Sequence, residues 1–172
     1  MSFFKKSNPQ SDAIRFFQKA SHLTDLMSWI LPQRLAVGPL PTSHQTQLAH
    51  AGIRAVLSLC SEQEGKLPIE ITQTLECVRF VLPDSYSSQP LQVGQLVQAV
   101  EILQQLMQTH QSVYVHCLAG VERSPLVCIS YLCRHQRLEV WEALNLLKQL
   151  HPSTNPTPAQ LKVVRELRNL PR

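Results

Sequence analysis

The chain has 172 residues, a formal net charge of +4 and five cysteines, and 44% of its residues are hydrophobic. This length fits one domain that can bury a core without disulfides or metals. The ordinary apolar fraction and small net charge argue against a disordered chain, and the scattered Lys and Arg residues argue against a nucleic-acid partner.

Sorting signals and cysteine usage indicate the compartment. No apolar run is long enough to span a bilayer, and Lys5 and Lys6 precede polar residues rather than the apolar core of a secretory signal. The odd number of cysteines fits a reducing compartment, and no CxxC pair or zinc-finger spacing occurs. We therefore expect a cytoplasmic protein without a metal site or an integral membrane association.

The predicted elements alternate along the chain. Residues 1–30 are predicted to form a helical extension, which Ser11 or Asp12 would cap, and residues 31–172 to form the main domain. Aliphatic runs predict strands, and capped apolar periodicities predict helices. The strands are expected at 34–38, 53–59, 77–82 and 112–116, and the helices at 42–49, 91–110, 124–136, 138–150 and 158–170, with a loop or broken helix over 61–74.

This alternation predicts an α/β fold. We expect a mostly parallel central sheet of four to five strands, flanked by helices on both faces. Ligands of such sheets bind beyond the carboxyl ends of the strands. The functional segment is therefore expected just after Val115, between a central strand and a helix.

The segment after that strand reads HCLAGVERS and opens a helix. Such a loop can turn successive backbone N–H groups towards one point, where the helix dipole adds positive charge. A planar guanidinium at its end can bind two phosphate oxygens. The predicted phosphate-binding loop comprises Cys117, Leu118, Ala119, Gly120, Val121, Glu122 and Arg123.

Cys117 lies at the base of this loop and is the candidate nucleophile. Donors that hold a phosphate dianion also stabilise a thiolate, and the Ser124 hydroxyl could stabilise that thiolate when it leaves phosphorus. His116 is expected to orient the loop rather than to carry a proton. The alternative is that Cys117 is an inert, buried cysteine. Gly120 and the Ser-Pro pair that opens the helix favour the catalytic interpretation.

Breaking a P–O bond also requires a proton donor for the leaving oxygen. Of the three aspartates, only Asp84 follows a strand, in the loop PDSYSSQP, at the sheet edge expected to carry Cys117. Asp84 is therefore the candidate general acid, and its alternative role is an Asx-turn after Pro83. Glu122 is the second acid candidate, although its side chain is expected to point outward.

HCLAGVERS resembles the signature loop of the cysteine-dependent protein phosphatases, most closely their dual-specificity branch. The likeness extends to the segments WILPQRLAVGPLP, AGIRAVLSL, PDSYSSQP and HPSTNPTPAQ. It implies that residues 31–172 form a catalytic domain that works through a phosphocysteine intermediate, without a cofactor. It also implies that the substrates are phosphoproteins carrying phosphotyrosine and phosphoserine or phosphothreonine. We expect the protein to be a monomer.

Other functions stay open. They are a small-molecule, glucan or phosphoinositide phosphatase, or a catalytically dead phosphate-binding module. The loop carries no Lys or Arg between Cys117 and Arg123, and Glu122 would repel a polyanionic headgroup. However, LSLCSEQ resembles the segment where tensin-like phosphatases keep a second cysteine. This resemblance suggests that Cys60 forms a reversible disulfide with oxidised Cys117.

Overall fold

A five-stranded sheet forms the centre of the molecule. The computed structural model describes residues 27–42 and 48–171. The sheet has the order β1-β2-β5-β3-β4, in which β1 runs antiparallel to β2 and the other pairs are parallel. Its strands are β1 (Ser28–Leu31), β2 (Leu35–Gly38), β3 (Ala55–Ser58), β4 (Glu76–Arg79) and β5 (Val113–His116). The predicted mostly parallel α/β sheet is confirmed.

Helices cover both faces of this sheet. They are α1 (Ile69–Thr74), α2 (Val93–Thr109), α3 (Arg123–His135), α4 (Val140–Leu150) and α5 (Pro158–Asn169). Helix α3 packs against α2, α4, α5, β2 and β5, and its residues are buried from Arg123 to Cys133. The opposite face is covered by α1 and by apolar side chains that include Leu48 and Ile53. None of the described helices is long and apolar enough to cross a bilayer.

Strand register brings the functional segments to one edge of the sheet. Gly38 of β2 and Ser58 of β3 both lie level with His116 of β5. Because the three strands are parallel, the chain leaves all of them at the same edge. The segments that begin at Pro39, Leu59 and Cys117 are therefore neighbours, as the sequence analysis predicts for the loop after β5.

The last residues of the predicted helical extension are not helical. Residues 28–30 belong to β1 rather than to a helical extension, and residue 31 lies within the same strand. Pro32 begins the tight turn of the β-hairpin formed by β1 and β2, in which Gln33 has a positive φ of 56°. Pairing with β2 and burial of Ile30 outweigh the local helical pattern. The cap candidates Ser11 and Asp12 lie outside the described residues.

Gly52 closes the turn that precedes β3. Gly52 has a φ of +91°, the Ile53 N–H donates to the Leu48 carbonyl at 3.0 Å, and the Gly52 N–H donates to the Ala49 carbonyl at 3.1 Å. This is the Schellman arrangement that closes a helix. Most of the helix predicted over 42–49 lies outside the described residues, since 43–47 are not among them.

A matched pair of glycine variants tests this turn. Gly52→Ala should lower the free energy of unfolding by about 1–2 kcal/mol, because an L side chain is disfavoured at positive φ even where space is open. Gly94→Ala, in the first turn of α2 and also in open space, should leave that free energy unchanged or raise it by up to about 1 kcal/mol. Urea unfolding measures both. Equal effects of the two variants would contradict the assigned geometry.

Candidate active site

Cys117 begins the loop between β5 and α3. Its side chain is buried, and the Ser124 hydroxyl lies 3.3 Å from Cys117 Sγ and 3.2 Å from the Gly38 carbonyl. The single hydroxyl proton can serve either acceptor. A negative charge on Sγ would attract that proton, since hydrogen bonds to ions are the stronger ones. The structure thus places Ser124 where the sequence predicts it, beside the sulfur.

Gly120 lets the loop lie directly on the backbone that follows β2. Its φ is +72°, and a Cβ atom there would stand 2.5 Å from Pro39 N and 2.6 Å from the Gly38 carbonyl carbon. The Leu40 N–H also donates to the Leu118 carbonyl at 3.0 Å. Only glycine meets both the conformation and the close approach. The shape of the loop therefore depends on its seat against residues 38–40.

Arg123 is almost fully buried at the start of α3, and three chain segments orient its guanidinium. Nη1 lies 3.4 Å from the Leu59 carbonyl, 3.3 Å from the Leu82 carbonyl and 3.2 Å from Glu64 Oε2, while Nη2 donates to Glu64 Oε1 at 2.5 Å. Among the described residues, Nε makes no hydrogen bond. The Nε–H and one Nη2–H are thus available to bind phosphate oxygens.

Glu64 is a site residue that the sequence analysis missed. Ser61 and Glu64 form reciprocal hydrogen bonds, with the Ser61 N–H donating to Glu64 Oε2 at 2.8 Å and the Glu64 N–H donating to Ser61 Oγ at 3.3 Å. The hydrogen bond from Arg123 is the main cause that lowers the pKa of Glu64 from 4.5 to about 2. The Ser-x-x-Glu spacing predicts this local turn but not its long-range partner.

Asp84 lies in a turn beside the phosphate-binding loop. Its Oδ1 accepts a hydrogen bond from the Tyr86 N–H at 3.1 Å, and its carbonyl accepts one from the Ser87 N–H at 3.2 Å. The Asx-turn is therefore present, and it leaves Oδ2 without a hydrogen bond among the described residues. The Asx-turn engages only Oδ1, so it is compatible with a role of the Asp84 carboxyl group as the general acid.

Glu122 points away from the base of the loop. One carboxylate oxygen accepts a hydrogen bond from Ser85 Oγ at 2.7 Å, and the other accepts one from Gln160 Nε2. This orientation agrees with the outward direction expected from the sequence. It gives Glu122 neighbours in the acid loop (residues 83–90, PDSYSSQP) and in α5.

His116 is fully buried beneath the loop. Its Nδ1–H donates to the Cys117 carbonyl at 3.2 Å, and its ring stacks on Tyr114 with the centroids 6.0 Å apart. Burial lowers the pKa of His116 to about 4, so the ring is neutral at neutral pH. A neutral, enclosed imidazole suits the predicted orienting role and not that of a proton carrier.

A second histidine supports the loop from the other side, and the sequence analysis did not single it out. His151 Nε2 lies 2.7 Å from the Gly120 carbonyl, and its Nδ1 lies 2.9 Å from Ser28 Oγ of β1. Nearby, the Asn155 N–H donates to the Val121 carbonyl at 2.8 Å. The segment 151–155 thus forms hydrogen bonds to the Gly120 and Val121 carbonyls of the loop. No local sequence pattern indicates these contacts.

Cys60 follows β3 as a buried free thiol, and Cys117 is also free. The Cys60 Sγ lies 3.8 Å from Ser58 Oγ, and its carbonyl accepts a hydrogen bond from Arg79 Nη1. The register of β3 and β5 brings the two cysteine-bearing segments to neighbouring positions. The disulfide between Cys60 and Cys117 stays a prediction.

No group of His, Cys, Asp and Glu side chains in the described part of the chain is arranged to hold a metal ion.

The profile of the family "Dual specificity phosphatase, catalytic domain" matches residues 35–169. The chain belongs to this family. Its dual-specificity relatives include "Dual specificity protein phosphatase PHS1" of Arabidopsis thaliana, which is 26% identical over 89% of this chain and 16% of its own length. "Phosphatidylglycerophosphate phosphatase PTPMT2" of the same plant is 27% identical over 81% of this chain and 62% of its own length. This dual-specificity domain thus corresponds to only part of these relatives.

Solved structures support the same fold. A crystal structure of PTPMT1 in complex with PI(5)P has a TM-score of 0.72 at 22% identity, covering 84% of this chain and 95% of that one. A crystal structure of DUSP15 has a TM-score of 0.69 at 20% identity, covering 83% of this chain and 87% of that one. At this level of identity, the likeness establishes the dual-specificity fold and leaves the substrate open.

The Arg123–Glu64 ion pair predicts a pH dependence of stability. Because the folded-state pKa of Glu64 lies below its ordinary value, the pair stabilises the fold above about pH 4.5, and this stabilisation is lost as the pH falls towards 2. Between about pH 6 and about pH 3, the wild type should lose roughly 1 kcal/mol more stability than Glu64→Gln. Urea midpoints measure this, with the exposed Glu62→Gln as the control. Equal losses in wild type and Glu64→Gln would contradict the pairing.

Proposed function

We propose that this domain hydrolyses phosphate monoesters through a phosphocysteine intermediate, and that its substrates are phosphotyrosine and phosphoserine or phosphothreonine in proteins. The observation that carries the proposal is that buried Cys117 Sγ lies 3.3 Å from Ser124 Oγ and within electrostatic reach of the buried Arg123 guanidinium, where the loop meets α3. An inert core cysteine requires none of these partners. Phosphoryl transfer through a cysteine uses a thiolate nucleophile and a cationic group that binds the phosphate oxygens. A hydrogen-bond donor then stabilises the thiolate when it leaves phosphorus.

In the first step, the Cys117 thiolate attacks phosphorus. An S–P bond forms, the P–O bond to the alcohol or phenol breaks, and Asp84 gives its proton to the departing oxygen. The free Nε–H and Nη2–H of Arg123 bind two of the non-bridging oxygens. The positive end of α3 and the loop N–H groups stabilise the charge that those oxygens carry.

In the second step, water attacks the phosphocysteine. Asp84, now a carboxylate, takes a proton from the water, an O–P bond forms and the S–P bond breaks. The electron pair returns to Cys117 Sγ, where the Ser124 hydroxyl can donate a hydrogen bond to the thiolate. Inorganic phosphate is the product, and the enzyme returns to its starting protonation state.

The charge around the loop supports a protein substrate. The loop positions between Cys117 and Arg123 carry no cationic side chain, and Glu122 adds a negative charge beside the acid loop. A headgroup with several phosphates would meet repulsion there without compensating cations. A single phosphate on a peptide side chain needs only the Arg123 clamp and the backbone donors.

A lipid monoester is the second candidate, and two of the relatives favour it. PTPMT2 and PTPMT1 of Arabidopsis thaliana are both named as phosphatidylglycerophosphate phosphatases, with 27% and 28% identity to this chain. A lipid whose headgroup ends in one phosphate monoester would escape most of the repulsion by Glu122. The exposed Leu118 and Tyr86 offer apolar surface near the loop and the acid loop.

A substrate panel distinguishes the two candidates. The full chain should show a higher kcat/KM on phosphotyrosine and phosphothreonine peptides than on phosphatidylglycerophosphate in vesicles, and Cys117→Ser should abolish hydrolysis of all of them. Full activity of Cys117→Ser would refute the phosphocysteine mechanism. A preference for the phospholipid would replace the first candidate by the second and leave the mechanism in place.

Asp84→Asn tests the general acid separately. The variant should hydrolyse phenyl phosphate about 100-fold more slowly, because phenolate is a poor leaving group, and dinitrophenyl phosphate only a few-fold more slowly in the first step. Single-turnover kinetics with both esters measure this difference. An unchanged rate on the phenyl ester would assign the proton to another group.

A further inference from the structure

The carboxylate of Glu122 connects two segments that flank the phosphate-binding loop. It accepts one hydrogen bond from Ser85 Oγ, at 2.7 Å, and another from Gln160 Nε2. Ser85 follows Asp84 in the acid loop, and Gln160 lies in the first turn of α5. One side chain of the phosphate-binding loop thus contacts both the acid loop and the last helix.

Ser85 lies inside the turn that carries Asp84. The Asp84 carbonyl accepts from the Ser87 N–H, and the Asp84 carboxylate accepts from the Tyr86 N–H. These bonds make residues 84–87 one compact unit. A contact that holds Ser85 therefore holds Asp84 as well.

The acid loop is attached to the phosphate-binding loop on both sides of Asp84. Before Asp84, the Leu82 carbonyl accepts from Arg123 Nη1 at 3.3 Å; after it, Ser85 donates to Glu122. The two anchors are consecutive residues of the phosphate-binding loop. Attachment at two points restricts where the carboxyl group of Asp84 can lie, which favours a reactive geometry.

Gln160 fixes the orientation of Glu122 from the other side. Its side chain is 5% exposed, and its Oε1 accepts from the Thr157 N–H at 2.8 Å in a capping box, which turns Nε2 towards Glu122. In the part of the chain that the structure describes, Glu122 forms no ion pair. Its negative charge is therefore directed at two neutral donors, for which charge-assisted hydrogen bonds are strong.

We propose that Glu122 is a positioning residue that holds Asp84, through Ser85, in place to protonate the leaving oxygen, and that Gln160 fixes Glu122 for this task. The inference rests on the proposed role of Asp84 as the general acid. It assigns Glu122 a function that differs from anion repulsion and from acid catalysis. It also makes α5 part of the apparatus that positions the acid loop.

Leaving-group dependence tests the proposal. Ser85→Ala should lower kcat/KM on phenyl phosphate about tenfold but on dinitrophenyl phosphate less than about twofold, because only the phenyl ester needs the proton. Gln160→Glu keeps the acceptor for the Thr157 N–H, removes the donor to Glu122, and should act in the same direction. Ser88→Ala is the matched control and should leave both rates unchanged, because Ser88 is exposed and its side chain makes no hydrogen bond among the described residues.

A double variant separates this role from a structural one. In the Asp84→Asn background, Ser85→Ala should cause no further loss on phenyl phosphate, because both changes remove the same protonation. Equal losses on both esters, or no loss in Ser85→Ala, would overturn the positioning role while Asp84→Asn stays slow. If Asp84→Asn itself is unimpaired on phenyl phosphate, the acid assignment is wrong and the positioning role falls with it.

Discussion

The buried guanidinium of Arg123 is the interaction on which the rest of the site depends. It lies within hydrogen-bond distance of the Leu59 carbonyl after β3 and the Leu82 carbonyl before the acid loop. It also binds the carboxylate of Glu64. A charge this deeply buried requires partners, and these partners come from segments far apart in the sequence. Satisfying one cation therefore fixes the relative positions of the phosphate-binding loop, the acid loop and the Ser61–Glu64 turn.

The sheet makes this arrangement possible. Because β2, β3 and β5 are parallel and in register, the chain leaves them side by side at one edge. Gly120 then allows the loop to rest against the backbone after β2, and His116 and His151 bind carbonyls of the loop from below and from the side. These contacts give the loop a fixed shape, and under the proposed function that shape is the preorganisation that lowers the reaction barrier.

The sequence predicts the elements of the site better than its connections. Apolar runs and caps locate four of the five strands, and the spacing from Cys117 to Arg123 identifies the loop, since these signals lie within short windows. Strand β1 was not predicted, because it has only four residues and is formed by hairpin pairing with β2. The roles of Glu64 and His151 were not predicted, because their partners lie 59 and 31 residues away along the chain. Pairings over such sequence distances follow from tertiary packing and not from a local pattern.

The phosphocysteine at Cys117 is the central claim, and trapping it is the most direct test. Full-length protein is mixed with an aryl phosphate, quenched in acid within one turnover, digested and analysed by mass spectrometry. A phosphoryl group is expected on the peptide that contains Cys117 in the wild type, and no such group is expected in Cys117→Ser. Continued turnover with no adduct on Cys117, or with the adduct on another residue, would contradict the account.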